Sequence, residues 1–313
     1  MKKSYSDKVV SAETAIRSIS RGKRVFIGSY CGEPQHLVSA LIDHTDHFSD
    51  VEVVRFLNLE GSLMGLVADE TRGRNYHVRS IYQGSGMIRG LTASRRFLTP
   101  MNLYTVPSLF LQRHIPVHYA LIQTAPPDDF GWLNLGISVD ITLAAAHAAD
   151  VVIVQVNPHM PVVPGYGMIH VDEVDFIVEH EEELLSVYPT PKIACTDRIA
   201  KLLSSLIEDG STLHISPGFS EELVLEALGE KQNLGIHSLM ILDVMKKLAE
   251  KGVITNRKKG FNDGKMVASG AIGGEELYRY LNGNPAVEFR PCDYVSNPVM
   301  IARHHNQYAE QAQ

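Results

Sequence analysis

Strand-sized apolar runs alternate with helix-sized amphipathic ones along the chain, and this alternation predicts an α/β fold with a mainly parallel sheet. The clearest run is Val151–Val156, rich in β-branched residues, as a strand buried on both faces requires. Before it, alanine-rich 142–150 reads as a helix with Ser138 or Asp140 as its cap. A shorter strand over 117–123 stops at Pro126 and Pro127, which cannot donate to a ladder. Val156 empties into Asn157, Pro158, His159, Met160 and Pro161, then into Gly165, Tyr166 and Gly167. That irregular loop lies where the strand's carboxyl end should be, and ligands bind at such ends in open α/β sheets.

The same reading covers the rest. Ser11 caps a helix with apolar Ala12, Ala15, Ile16 and Ile19. A strand over 24–28 delivers the Gly28–Pro34 loop to a helix over 35–41, and a second strand covers 51–59. Residues 61–76 read as a loop or lid, 77–82 as a strand, 84–89 as a turn opening a helix, and 106–113 as a helix. Two prolines between Tyr188 and Lys192 mark a linker. The expected division is a domain over 1–186, a linker over 187–192 and a partial second domain over 193–313. In the second domain we expect helices over 195–206, 221–228 and 239–251, with strands over 211–215, 265–272 and 286–290. This second unit reads as still under way where the sequence stops. An apolar face or open edge is therefore expected to pair with another chain, as a homo- or hetero-oligomer.

Composition narrows the function. The 313 residues carry 36 acidic and 29 basic side chains, a formal net charge of −7 that argues against a nucleic-acid-binding surface. No apolar run reaches membrane-spanning length, so a cytoplasmic location is the default expectation. Cys31, Cys195 and Cys292 are odd in number and far apart, which indicates neither a disulfide framework nor a zinc site. His159, His170, His304 and His305 show no metal-ligand pattern, and no metal is expected. Gly84-x-Gly86 lacks the third glycine of a dinucleotide fingerprint, Arg89 standing in its place. Gly136-x-Ser138-x-Asp140 falls one glycine short of a nucleophile elbow and reads as a structural cap. The 179–183 run reads as a solvated acidic face. For the 157–161 and 165–167 loops two readings stay open: a rigid surface for close approach to a ligand, or a crossover between domains.

Four motifs occur in order: P-P-D-x-x-G from Pro126, G-x-S-x-D from Gly136, V-N-P-x-M-P from Val156 and I-H-V-x-E-V-D from Ile169. With them the chain, from about Ser11 to about Asn306, resembles the acetyl-CoA hydrolase/4-hydroxybutyrate CoA-transferase family of class I coenzyme A transferases. The resemblance implies two successive open α/β domains, with acyl-CoA and a short carboxylic acid as ligands and no permanently bound cofactor. It implies an acyl pocket near Gly28, Cys31, Asn157, Met160, Pro161, Gly165 and His170, and CoA contacts at Ser216, Pro217, Gly218, Phe219 and Ser220.

The family uses a glutamate nucleophile in a segment like G-I-H-S-E-M. Here the segment is Gly235-Ile-His-Ser-Leu239-Met240, and leucine has no lone pair to attack a thioester. Residues 216–221 also replace a glycine-rich loop, and Pro217 removes an amide donor. The family runs on for over a hundred residues beyond this sequence, which suggests a second subunit carrying the remainder. Asp243 and Glu221 are the outside candidates for a relocated carboxylate. Three readings follow: a transferase subunit that needs a partner chain, a non-catalytic acyl-CoA or carboxylate binder with a regulatory role, or a truncated relic whose fold is incomplete.

Overall fold

The computed structural model describes residues 4–57, 75–81, 96–187, 196–215, 221–304 and 307–310. The expected 61–76 loop (apart from its last two residues), the Gly84–Arg89 turn, most of the 187–192 linker, Cys195, Ser216–Ser220 and His305 lie outside the described residues.

Among the described residues the first sheet has seven parallel strands. These are β1 (Arg24–Ile27), β2 (Val51–Arg55), β3 (Tyr76–Ser80), β4 (Arg96–Leu98), β5 (Tyr119–Thr124), β7 (Val151–Val156) and β9 (Phe176–Glu179). They lie in the order β4-β3-β2-β1-β5-β7-β9. Alternate residues of one strand enter different cores. Val25 and Ile27 pack with the helices Ala12–Arg17 and Gln35–Asp43, and Phe26 packs on the opposite face. Burial on both faces explains the apolar runs. Because β1 is flanked by β2 and β5, the order reverses there and a crevice opens beyond their carboxyl ends. A two-stranded antiparallel ribbon, β6 (Trp132–Asn134) with β8 (Met168–His170), stands beside this sheet.

The second sheet is also parallel. It consists of β10 (Thr212–Ile215), β11 (Gly235–Leu242), β12 (Met266–Ile272), β13 (Val287–Phe289) and β14 (Gln307–Glu310), in the order β13-β12-β11-β10-β14. One expectation is overturned here. Residues 239–242 do not open a helix but finish β11, and the helix spans Asp243–Glu250. Every residue of β11 is buried, so its apolar run carries no period-2 alternation to betray a strand.

The two units share one continuous core that runs from Phe26 and Ile122 to Ile241 and Phe289. Backbone hydrogen bonds stitch them together. Val139 and Asp140 N–H both donate to Ser269 O at 3.0 Å, and Ala271 N–H donates to Ile137 O at 3.0 Å. Phe289 N–H donates to Pro164 O and Tyr166 N–H to Phe289 O, both at 2.8 Å. Gly165 has φ +134°, and a Cβ there would fall 2.1 Å from Phe289 O, so the joint admits no side chain.

Candidate functional site

The carboxyl ends of both sheets turn toward each other, and the site is built from what emerges there. From β1 comes the turn Tyr30–Gly32. Tyr30 holds a left-handed φ of 53°, which is unfavourable for a residue with a Cβ. Its ring is fixed edge-on to Phe56, with centroids 5.8 Å apart. Gly32 follows, where a Cβ would lie 2.5 Å from Ser138 Cβ. This turn aims buried Cys31 at Tyr278 and the Gly273 backbone of the second unit. Burial pushes the Cys31 thiol up to about 11, so at neutral pH it is not a thiolate nucleophile. The Tyr278 hydroxyl is held by Leu185 O at 2.7 Å and Gly273 O at 3.0 Å.

Beneath the turn lies Asp140, fully buried. Ser29 Oγ donates to its Oδ2 at 2.6 Å and Ser138 Oγ at 3.1 Å, while Thr142 N and Oγ1 each donate to Oδ1 at 2.9 Å. Desolvation raises its pKa, and the hydrogen bonds from Ser29 and Thr142 partly offset that rise. With every oxygen engaged, the Gly136-x-Ser138-x-Asp140 motif locks the Ser29 loop to the helix Thr142–Ala148.

A buried amide chain crosses the ends of β5 and β7. Gln123 Nε2 donates to Glu33 O at 3.0 Å, and Asn157 Nδ2 donates to Gln123 Oε1 at 2.7 Å. Asn157 also holds Glu182 O at 2.8 Å, and Gln155 hydrogen-bonds the Glu182 carboxylate. The expected solvated acidic face therefore needs correcting at Glu182, which pins the segment after β9 across the strand ends. His159 stands between Glu181 (3.1 Å) and Glu183 (3.6 Å) at the rim.

Between the units is a cleft of about 390 Å³, lined among others by Pro126, Met160, Pro161, Leu184, Tyr278 and Arg279. Of the residues expected at an acyl pocket, Met160 and Pro161 line this cleft. Gly28 follows β1, its N–H donating to Leu121 O, and Cys31 and Asn157 are fully buried; none of the three is among the lining residues. Gly165 meets Phe289 at the joint instead. His170 stands on β8 against Trp132, its Nε2 bonded to Phe130 O, and is not among the lining residues. The expected CoA contacts Ser216–Ser220 lie outside the described residues. Glu221 begins the helix Glu221–Glu226.

Leu239 lies in β11 with 5% of its surface exposed, inside the shared core. Asp243 opens the next helix and accepts from Gly274 N at 3.1 Å; burial raises its carboxyl pKa. The three strand rises from Leu239 to Leu242 span about 10 Å. The helix expected over 239–251 would put Asp243 one turn from Leu239; with β11 running to Leu242 it lies farther away. Sequence reasoning missed Tyr30, Gln123, Gln155 and Tyr278. The two glutamines gave a signal, since each interrupts an otherwise apolar strand.

Residues 1–189 match the family described as the acetyl-CoA hydrolase/transferase N-terminal domain. The chain belongs to the acetyl-CoA hydrolase/transferase family. It is similar to the 4-hydroxybutyrate coenzyme A transferase of Clostridium kluyveri, 38% identical over 303 residues that cover 96% of this chain and 70% of that one. It is also similar to the succinyl-CoA:cyclohexane-1-carboxylate CoA transferase of Geobacter metallireducens, at 31% identity covering 97% and 68%. Among solved structures, RipA from Yersinia pestis superposes with a TM-score of 0.89 at 29% identity, covering 97% of this chain and 73% of that one. The 4-hydroxybutyrate CoA-transferase of Porphyromonas gingivalis gives 0.82, also at 29%, covering 97% and 73%. The fold is thus the α/β fold of family CoA transferases. Among the described residues no helix is long and apolar enough to cross a membrane, and no group of three or more His, Cys, Asp or Glu is placed to hold a metal.

Proposed function

We propose that this chain binds acyl-CoA thioesters and short carboxylic acids between its two sheets, and that CoA passes between them only with a second chain that supplies the carboxylate nucleophile. The observation that carries this reading is Leu239. At the position where the resemblance puts the glutamate, a buried hydrocarbon side chain completes the core of β11. Family transfer needs an oxygen nucleophile to take the acyl group from sulfur, and leucine offers none. Asp243 is engaged by Gly274 and about 10 Å or more along the chain from that position, whereas attack demands close alignment of the reacting atoms. Coenzyme A is then ligand rather than resident cofactor, and the cytoplasm, where its thioesters are handled, is the fitting location.

The same packing of Leu239 favours a second reading, a non-catalytic binder that senses acyl-CoA. One experiment separates them. The purified chain is titrated with acetyl-CoA by calorimetry, then assayed for CoA exchange with acetate, alone and with co-purified partner proteins. Binding without exchange, and exchange on adding a carboxylate-bearing partner, is the expected result. Binding with no exchange under any pairing leaves the sensor. Exchange by the chain alone, or a hydroxylamine- or borohydride-trapped adduct on Asp243 or Glu221, overturns both.

A further inference from the structure

The helix Glu275–Leu281 turns one face to the cleft between the units. Glu275, Tyr278, Arg279 and, at the helix end, Asn282 all line it, spaced as a single helix face requires. The Tyr278 hydroxyl is engaged by Leu185 O and Gly273 O. Arg279 is engaged only in part. Its Nη2 donates to Glu275 Oε1 on the same helix, while Nε and Nη1 have no hydrogen-bond partner among the described residues. At Asn282, Oδ1 accepts from Val162 N–H at 2.9 Å, and Gly283 N–H donates to Val162 O at 2.8 Å. This clamp fixes the amide and leaves Nδ2 as a donor without a partner among the described residues. The first unit and the segment after β9 supply apolar lining through Pro126, Met160, Pro161 and Leu184. At about 390 Å³ the cleft falls within the range of about 300–1,000 Å³ that small-molecule sites occupy.

We infer that Arg279 and Asn282 receive the carboxylate of an alkanoic acid whose tail lies on the apolar lining, so that butyrate and hexanoate, rather than acetate, are the class the cleft takes. This inference rests on the proposed handling of carboxylic acids. A guanidinium fork and an adjacent amide donor suit the two oxygens of a carboxylate. Glu183 and Glu275 share the lining and oppose a dianion more than a monoanion, which favours a carboxylate over a phosphate group. Glu275 also competes with the acid for Arg279, so acids are held weakly and leave readily. The competing account is an ordinary ion pair along an exposed helix face, which would leave ligand binding indifferent to both residues.

The test titrates the whole chain with acetate, hexanoate and inorganic phosphate at low salt, followed by ligand-detected NMR, with acetyl-CoA binding measured alongside. Hexanoate should bind about tenfold or more tightly than acetate, through burial of its methylenes. Arg279→Gln should weaken both acids about fivefold, the upper range for an exposed charge pair. Glu275→Gln should tighten both, and Leu184→Ala should weaken hexanoate while leaving acetate unchanged. Arg279 and Glu275 are 72% and 76% exposed, so neither substitution disturbs the core. Acid affinities unmoved by Arg279→Gln, acids weakened by Glu275→Gln, acetate bound as tightly as hexanoate, hexanoate unmoved by Leu184→Ala, or phosphate bound more tightly than hexanoate would each overturn the assignment. Unaltered binding of acids and acetyl-CoA in Arg279→Gln defeats this inference alone, whereas a parent chain that binds neither ligand defeats the proposed function.

Discussion

Acidification below pH 6.5 should destabilise the second unit through a patch of buried histidines. His237 on β11 lies with its ring centroid 4.5 Å from His304 and 6.2 Å from His214 on β10. Tyr294 and Phe261 close the patch, with Arg303 over the Phe261 ring. Lys259 is buried alongside, donating to Ile236 O at 2.6 Å and Lys265 O at 2.8 Å, with Asp263 and Glu288 as the acidic groups that act on it. Burial, then the proximity of His304 and Lys259, push the His237 pKa down to about 3; burial and Lys259 push His304 down to about 4. Both folded values lie below the unfolded value near 6.5. The unfolded chain therefore takes up protons first, and the contribution to stability is whole above about pH 6.5 and is lost as pH falls toward the folded values. From pH 6.5 to 5.5 the loss through His237 alone is about 1 kcal/mol, and His304, nearer the surface, adds less. Lys259, lowered to about 7, acts in the same direction at higher pH, removing stability between roughly pH 10 and 7. Urea unfolding at pH 7.5, 6.5 and 5.5 would measure this in the unaltered chain and in His237→Gln. The variant should lose about 1 kcal/mol less between pH 6.5 and 5.5, whatever its stability at pH 7.5. Parallel pH profiles over that window would refute the reasoning.

Two further outcomes follow from the joint between the units. Gly165→Ala should destabilise by about 3 kcal/mol or more, since it combines an unfavourable φ with a Cβ driven into Phe289 backbone; a urea midpoint unchanged from the parent would count against the described packing. Asp140→Ala strips the acceptor from hydroxyls of Ser29, Ser138 and Thr142 and should cost about 3–5 kcal/mol, whereas a loss under about 1 kcal/mol would mean that those donors find other partners.

Legibility differed between elements for physical reasons. Val151–Val156 was readable to the residue because few sequences other than a doubly buried strand need such a run. Gly235–Leu242 is equally buried, but its His and Ser positions and the true helix directly behind it drew the helical reading forward by four residues. Asp243, an acid in a first turn, was the boundary mark that sequence offered. Glu182 sat inside a charge run and looked solvated, since nothing local shows that Gln155 lies beneath it.

The placement of the shared motifs explains why they identify a family and leave the acyl group open. Gly136-x-Ser138-x-Asp140 sets the backbone that pairs with Ser269 and Ala271, and the loop through Gly165 pairs with Phe289. These residues hold one unit against the other, a task that tolerates little change because backbone meets backbone there with no side chain between. Met160 and Pro161 are the motif residues that also line the cleft. On the proposed reading, selectivity among acids would fall to cleft side chains outside the motifs, such as Tyr278 and Arg279. Leu239 fits the same division. It completes a core that the fold needs, so on the proposed reading a hydrocarbon there would cost the reaction and leave the architecture intact.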